Sequence, residues 1–120
     1  MKVGTDIVQI ARIKKSFDRF GDKFLYRFLN SDEIKLSSKI ESYAGYWASK
    51  EAISKALGCG IGKELSFHDI ILYKDKKGVP YFRLSNLAQS KFKIVNSSIS
   101  ISHDGGFAIA VVVLTQKENI

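Results

Sequence analysis

The sequence has 120 residues, enough for one hydrophobic core and too few for two, so residues 1–120 are read as a single domain. Apolar residues make up 45% and charged residues 26%, which excludes a disordered or fibrous chain. Nineteen Lys and Arg against twelve Asp and Glu leave a net charge of +7, which favours an anionic partner: nucleic acid, a phosphate ligand, a membrane surface or an acidic protein. A chain this short buries only about two-thirds of its unfolded surface, so a large ligand is better accommodated between subunits than within one.

The single Cys59 has no intramolecular partner for a disulfide, and a lone thiol points to a reducing compartment, so the cytoplasm is expected. Gly4, Thr5, Asp6 and Gln9 break up the N-terminal apolar residues before any signal-peptide core or membrane span forms. Two histidines and one cysteine do not complete a four-ligand nitrogen and sulfur zinc site, so any metal is expected to be a hard cation held by carboxylates.

In chain order, the β-branched run 3–10 reads as a strand. Ile10, Ile13, Phe17, Phe20, Phe24 and Phe28 recur at helical steps and predict two short helices meeting at Gly21. Asn30 and Glu33 form a capping-box pattern that predicts a third short helix to about Lys39. The longest helix is predicted over 43–57, where Ala44, Ala48, Ala52 and Ala56 form a stripe of small side chains suited to close packing on a sheet, with Gly58 as its C-cap. Segments 67–74 and 79–84 read as a hairpin around Asp75–Gly78, with Pro80 keeping its strand at an edge. Ser85 caps a helix to about Phe92, and strands 99–103 and 107–115 flank the turn at Asp104–Gly106. The predicted fold is α+β: a mainly antiparallel sheet packed against one long helix, with several short helices.

Asp6 shares the strand face of Val8 by period-two parity, where an ionised carboxylate needs a cation. An isolated strand-edge Asp is more commonly satisfied by backbone amides or a lysine, but Glu51 alters that balance. It sits four residues before Lys55 and four after Trp47, at the rim of the alanine stripe. If the strand packs under this helix, two carboxylates converge into a partial shell for magnesium, completed by waters and phosphate oxygens. The loop Gly58–Lys63 is one residue short of a nucleotide-binding glycine loop, lacks its Ser or Thr, and ends a helix where such a loop opens one. His103 lies where a strand meets a turn, so its ring is as well suited to a cleft as to a structural role. Arg12, Lys14, Lys15, Arg19, Lys23 and Arg27 stand against only Asp18 and Asp22, which makes an acidic docking partner credible beside the ordinary reading of a solvated helix face.

Three separated motifs together resemble the short bacterial holo-acyl-carrier-protein synthases, a type of 4′-phosphopantetheinyl transferase. They are 4–13 (GTDIVQIARI), 47–58 (WASKEAISKALG) leading into 60–62 (GIG) and 65–67 (LSF), and 99–103 (ISISH) followed by 107–112 (FAIAVV). The resemblance implies transfer of the phosphopantetheine arm of coenzyme A to a serine of apo-acyl carrier protein, releasing adenosine 3′,5′-bisphosphate, in support of fatty acid biosynthesis. By the same resemblance, Asp6 and Glu51 match the magnesium-binding carboxylates and Lys55 a lysine near the coenzyme phosphates. Ser54 and Gly58 lie along that binding edge, and Ser102 and His103 match a coenzyme-binding segment supplied across a subunit boundary. Arg12 and Arg19 match basic positions that dock the carrier, and a homotrimer with shared sites is implied. The proton acceptor for the serine is either Glu51 or a magnesium-bound water. Tyr46 stands where relatives often carry arginine, and Cys59 where they often carry threonine.

The contrasting reading is a small basic nucleic-acid module, for which Tyr73, Tyr81 and Phe82 near Lys74, Lys76, Lys77 and Arg83 offer a weak pattern. An ordinary hairpin is the favoured account of it, and neither nucleic acid nor membrane is expected as a partner. A noncatalytic coenzyme A binder is the third reading, disfavoured because both Asp6 and Glu51 are present.

Overall fold

The computed structural model describes residues 1–118. The β-branched N-terminal run forms β1 (Lys2–Gln9), and the amphipathic segment after it forms α1 (Ile10–Phe20) and α2 (Asp22–Phe28). Gly21 makes the break between them at φ 61°, a left-handed value that favours glycine. After α3 (Ser31–Ile34) comes the long helix α4 (Ile40–Ala56). The chain then forms β2 (Ile70–Lys74), β3 (Pro80–Leu84), α5 (Asn86–Phe92), β4 (Ile94–Asp104) and β5 (Phe107–Gln116).

Two antiparallel sheets result, one ordered β1-β5-β4 and the other β2-β3. The three-stranded sheet turns Val8, Ile99, Ala108, Ala110, Val112 and Leu114 inward, all buried, and α4 lies across that face. The alanine stripe does what its spacing implies: Ala44, Ala48, Ala52 and Ala56 are buried, and their small side chains let the helix come close to β1. Gly4 sets the distance. A Cβ there would overlap the Ala52 carbonyl oxygen and sit 2.8 Å from the Ala56 nitrogen, both rigid helix backbone.

The α+β architecture agrees with expectation, and so do the break at Gly21, the Ser85 cap accepting from the Ala88 amide at 3.3 Å, and Pro80 on a two-stranded sheet. Four boundaries differ. The long helix starts at Ile40, three residues before the predicted Tyr43, and its C-cap is Leu57, with Gly58 following in the left-handed conformation that stops the helix. The third helix ends at Ile34, not near Lys39, because the Tyr43 hydroxyl donates to the Ser37 carbonyl at 2.8 Å and draws that segment into an irregular turn. Residues Phe67–Asp69 form a 3₁₀ turn and not the start of a strand, since the Asp69 carboxylate accepts from the Ser66 amide at 2.9 Å and the Ser85 hydroxyl at 2.8 Å. The same bonds hold the Asp69 carboxyl below its ordinary pKa against an opposing effect of burial. Finally, β4 begins at Ile94, five residues before its apolar alternation, because β5 supplies backbone partners to the polar stretch before Ile99.

Candidate active site

The contact between β1 and α4 brings Asp6, Glu51 and Lys55 together. Asp6 is on the inward face of β1, opposite Ala110, with its side chain 15% exposed. The Lys55 ammonium donates to its Oδ1 at 2.9 Å and to the Thr5 carbonyl at 3.2 Å. Glu51, one helical turn before Lys55, is half-buried. Burial raises its pKa above the ordinary carboxylate value and the Asp6 charge adds to the rise, while Lys55 and Arg12 oppose it. Two carboxylates in mutual repulsion, one of them holding an ammonium, form an anionic notch at the sheet edge. Among the described residues, no third Asp, Glu, His or Cys joins them as a ready-made metal cage.

Around this notch the other predicted residues are distributed unevenly. Ser54 is buried and its hydroxyl donates to the Glu51 carbonyl at 2.7 Å, so it reaches a ligand only by leaving that bond. Gly58 ends α4 in a left-handed conformation at φ 82°, and the amides of Cys59 and Gly60 fold back onto the Ser54 carbonyl at 3.3 and 3.2 Å. Cys59 is half-buried, and burial together with Glu64 raises its thiol pKa. Ser102 and His103 are exposed and, as neighbours on β4, face opposite sides of the sheet. Among the described residues neither bonds to Asp6, Glu51 or Lys55. His103 lies instead on a cleft of about 920 Å³ where the β4–β5 turn meets Lys39, Glu41 and Ser42 at the start of α4.

Arg12 and Arg19 are exposed on α1, two helical turns apart and therefore on nearly the same face. The Arg12 guanidinium lies 6.0 Å from the Trp47 ring centroid, and Arg19 lies 5.0 Å from that of Phe20. Tyr46 is 3% exposed, its hydroxyl has no hydrogen-bond partner among the described residues, and the Lys74 ammonium sits 5.4 Å from the centre of its ring.

Sequence reasoning missed the group that anchors α4. Lys50, read only as a neighbour of Glu51, is fully buried beside Glu33. Its ammonium donates to the Phe28 carbonyl at 2.7 Å, the Phe67 carbonyl at 3.0 Å and the Glu33 carboxylate at 3.0 Å. Glu33 in turn accepts from the Asn30 amide at 2.8 Å and the Leu72 amide at 2.9 Å. Burial lowers the Lys50 pKa and Glu33 works against that, with every acceptor placed to receive a charged ammonium. The capping-box pattern was the available signal for Glu33; its second oxygen, 39 positions from its amide donor, had none.

A small basic chain with an anionic notch beside a cationic helix is organised for phosphoryl chemistry, and its class is that of the 4′-phosphopantetheinyl transferase superfamily, which residues 2–112 match. Within it the chain is 60% identical over 114 residues to the holo-[acyl-carrier-protein] synthase of a Sulfurovum species, covering 95% of this chain and 96% of that protein. It is 54% identical over 112 residues to the Campylobacter fetus enzyme of the same name, covering 93% and 97%. The chain belongs to the holo-acyl-carrier-protein synthase family. Among solved structures it superimposes on the Helicobacter pylori synthase in complex with coenzyme A with a TM-score of 0.91 at 55% identity, over 94% of this chain and 99% of that one. The Bacillus anthracis synthase, in complex with CoA (3′,5′-ADP), gives a TM-score of 0.80 at 38% identity, over 97% and 96%.

Proposed function

We propose that this chain transfers the 4′-phosphopantetheine group of coenzyme A to a serine of an apo-acyl carrier protein at a magnesium site formed by Asp6 and Glu51. The convergence of Asp6, Glu51 and Lys55 supports this assignment most directly. The donor set fits the ion: magnesium is bound through one or two carboxylates, with waters and substrate phosphates filling the other positions. Lys55 already places a positive charge on Asp6, as a stand-in for the cation. When bound, magnesium supplies charge neutralisation at the pyrophosphate oxygens.

In the reaction a carrier serine oxygen bonds to the phosphorus carrying the pantetheine arm, and the bond to the departing adenosine 3′,5′-bisphosphate breaks. Lys55, whose side chain is exposed beside Asp6, would stabilise charge on the phosphates. Glu51, on α4 beside Asp6, accepts the serine proton. Ser54 and Gly58 border the coenzyme at the end of α4. Chelation of divalent metal is expected to stop transfer of label from coenzyme A to the carrier, with magnesium restoring it; transfer that persists in chelator would remove the metal from the reaction.

Ser102 and His103 are proposed to serve the site of a neighbouring subunit in a homotrimer. The outward face of the large sheet supports self-association: Val3 and Ile7 are each 58% exposed, and Phe107, Ile109 and Val111 continue the same apolar surface across β5. Residues 1–120 are proposed to act as one transferase domain, and the lone thiol supports a cytoplasmic location. Among the described residues no helix is long and apolar enough to cross a membrane.

Arg12 and Arg19 are proposed to dock the acidic carrier. Changing both to Glu is expected to raise the carrier KM on the order of tenfold at low salt and less at high salt, because screening weakens attraction and repulsion alike. A KM unchanged at low salt would count against α1 as the docking element.

A further inference from the structure

The two proposed docking arginines differ from Lys14 on the same helix. Lys14 is neutralised within α1 by Asp18 at 2.6 Å. Arg12 and Arg19 have no carboxylate within ion-pair distance among the described residues, although Arg12 is near enough to Glu51 to favour its charge; each has an aromatic ring beside it. Trp47 is itself fixed from several sides, with ring centroids 6.2 Å from Phe24, 5.1 Å from Phe28 and 4.9 Å from Phe67. This half-buried indole therefore offers Arg12 a rigid face that belongs to α4, the helix that also carries Glu51 and Lys55.

A ring and a carboxylate have different consequences for a guanidinium. A carboxylate would orient it but cancel its charge, and docking would have to break that pair. An aromatic face attracts the cation weakly, restricts its rotamers and leaves its N–H donors and full charge available for a planar bidentate partner. The Arg12 contact, at 6.0 Å, is at the outer limit of this interaction, so its effect is orientation more than strength.

Resting on the docking role of α1, we propose that Trp47 and Phe20 are positioning residues for the carrier: they orient Arg12 and Arg19 without taking up their N–H donors, ready for two carboxylates of an acidic surface. The two anchor points are seven residues apart on one helix, about 10 Å along its axis, so the partner is expected to present acids at a comparable separation. Because Trp47 lies on α4, it also ties the docked carrier to the helix that holds the reacting groups.

The test is a pair of double-mutant cycles, Trp47→Leu with Arg12→Ala and Phe20→Leu with Arg19→Ala, read as KM for the apo-carrier at low and high salt. Each aromatic replacement is expected to raise KM about two- to fivefold at low salt, the range a weak cation–π contact supplies. That increase should be lost when the matching arginine is already Ala, and Trp47→Phe should recover most of the wild-type value. Phe20 is 48% exposed, so Phe20→Leu keeps the test usable if Trp47→Leu fails to fold. Additive effects, or a fall in kcat and Tm with no salt dependence, would overturn the positioning role while leaving docking intact. If Arg12→Ala and Arg19→Ala themselves leave KM unchanged, the docking assignment fails first.

Discussion

Replacing Glu51 with Gln is expected to reduce transfer at least about a hundredfold while leaving the protein as stable as before or more so. The change removes one of two carboxylates proposed to hold the cation and also the proposed proton acceptor, and loss of general base catalysis alone is worth about 10²–10⁴ in rate. The stability effect has the opposite sign. Glu51 has its pKa raised by burial and by Asp6, so its ionised form is disfavoured in the folded protein. A carboxyl raised in this way contributes stability below its unfolded pKa and loses it as pH rises through the folded value. At neutral pH the charge is therefore a burden that cation binding relieves, and the neutral amide removes it. Thermal melts of wild type and Glu51→Gln, with and without magnesium, check the reasoning: the ion should raise the wild-type Tm and not that of the variant. Near-wild-type turnover by Glu51→Gln would take the residue out of the reaction.

Lys50→Met is expected to cost about 3–5 kcal/mol of stability, a large loss for a substitution that conserves volume. The methionine fills similar space, so the cost is electrostatic: Glu33, 1% exposed, is left as a buried charge with two backbone amides and no cation. The carbonyls of Phe28 and Phe67 lose their donor as well. A small domain has roughly 5–15 kcal/mol in total, so a drop in Tm on the order of 10 °C or more should follow. Adding Glu33→Gln should recover a substantial part, since the amide oxygen can still accept a backbone N–H without an unpaired charge. A Lys50→Met protein that melts with wild type, or a double variant less stable than the single, would contradict this picture of the pair.

The two residues Lys50 and Glu51, adjacent in sequence, show what was legible and what was not. Glu51 was readable in part: the parity of Asp6 and the alanine stripe allowed two carboxylates to meet if the strand packed under the helix, and the resemblance to the synthase family singled out the pair. That the strand does pack there, with Gly4 against Ala52 and Ala56, came from the structure. Lys50 was not readable, because its acceptors lie at Phe28, Glu33 and Phe67, brought together only by the packing of short elements with little periodicity of their own. The same cause accounts for the misread boundaries. At Ile34 and Phe67 side chains captured backbone groups and ended regular structure, and at Ile94 pairing with β5 extended a strand its own sequence did not announce. The +7 charge was legible as a preference for anions, but which cations are tied to carboxylates was not: Lys50 is paired with Glu33 in the interior, Lys14 with Asp18 and Lys55 with Asp6, whereas Arg12 and Arg19 have no carboxylate within ion-pair distance among the described residues.

The most direct measurement is the intact mass of an apo-acyl carrier protein after incubation with this protein, coenzyme A and magnesium. The expected result is a carrier heavier by one phosphopantetheine group, with no gain when Glu51→Gln is used over the same time. A carrier that keeps its apo mass in the presence of the folded wild-type protein would contradict the assignment.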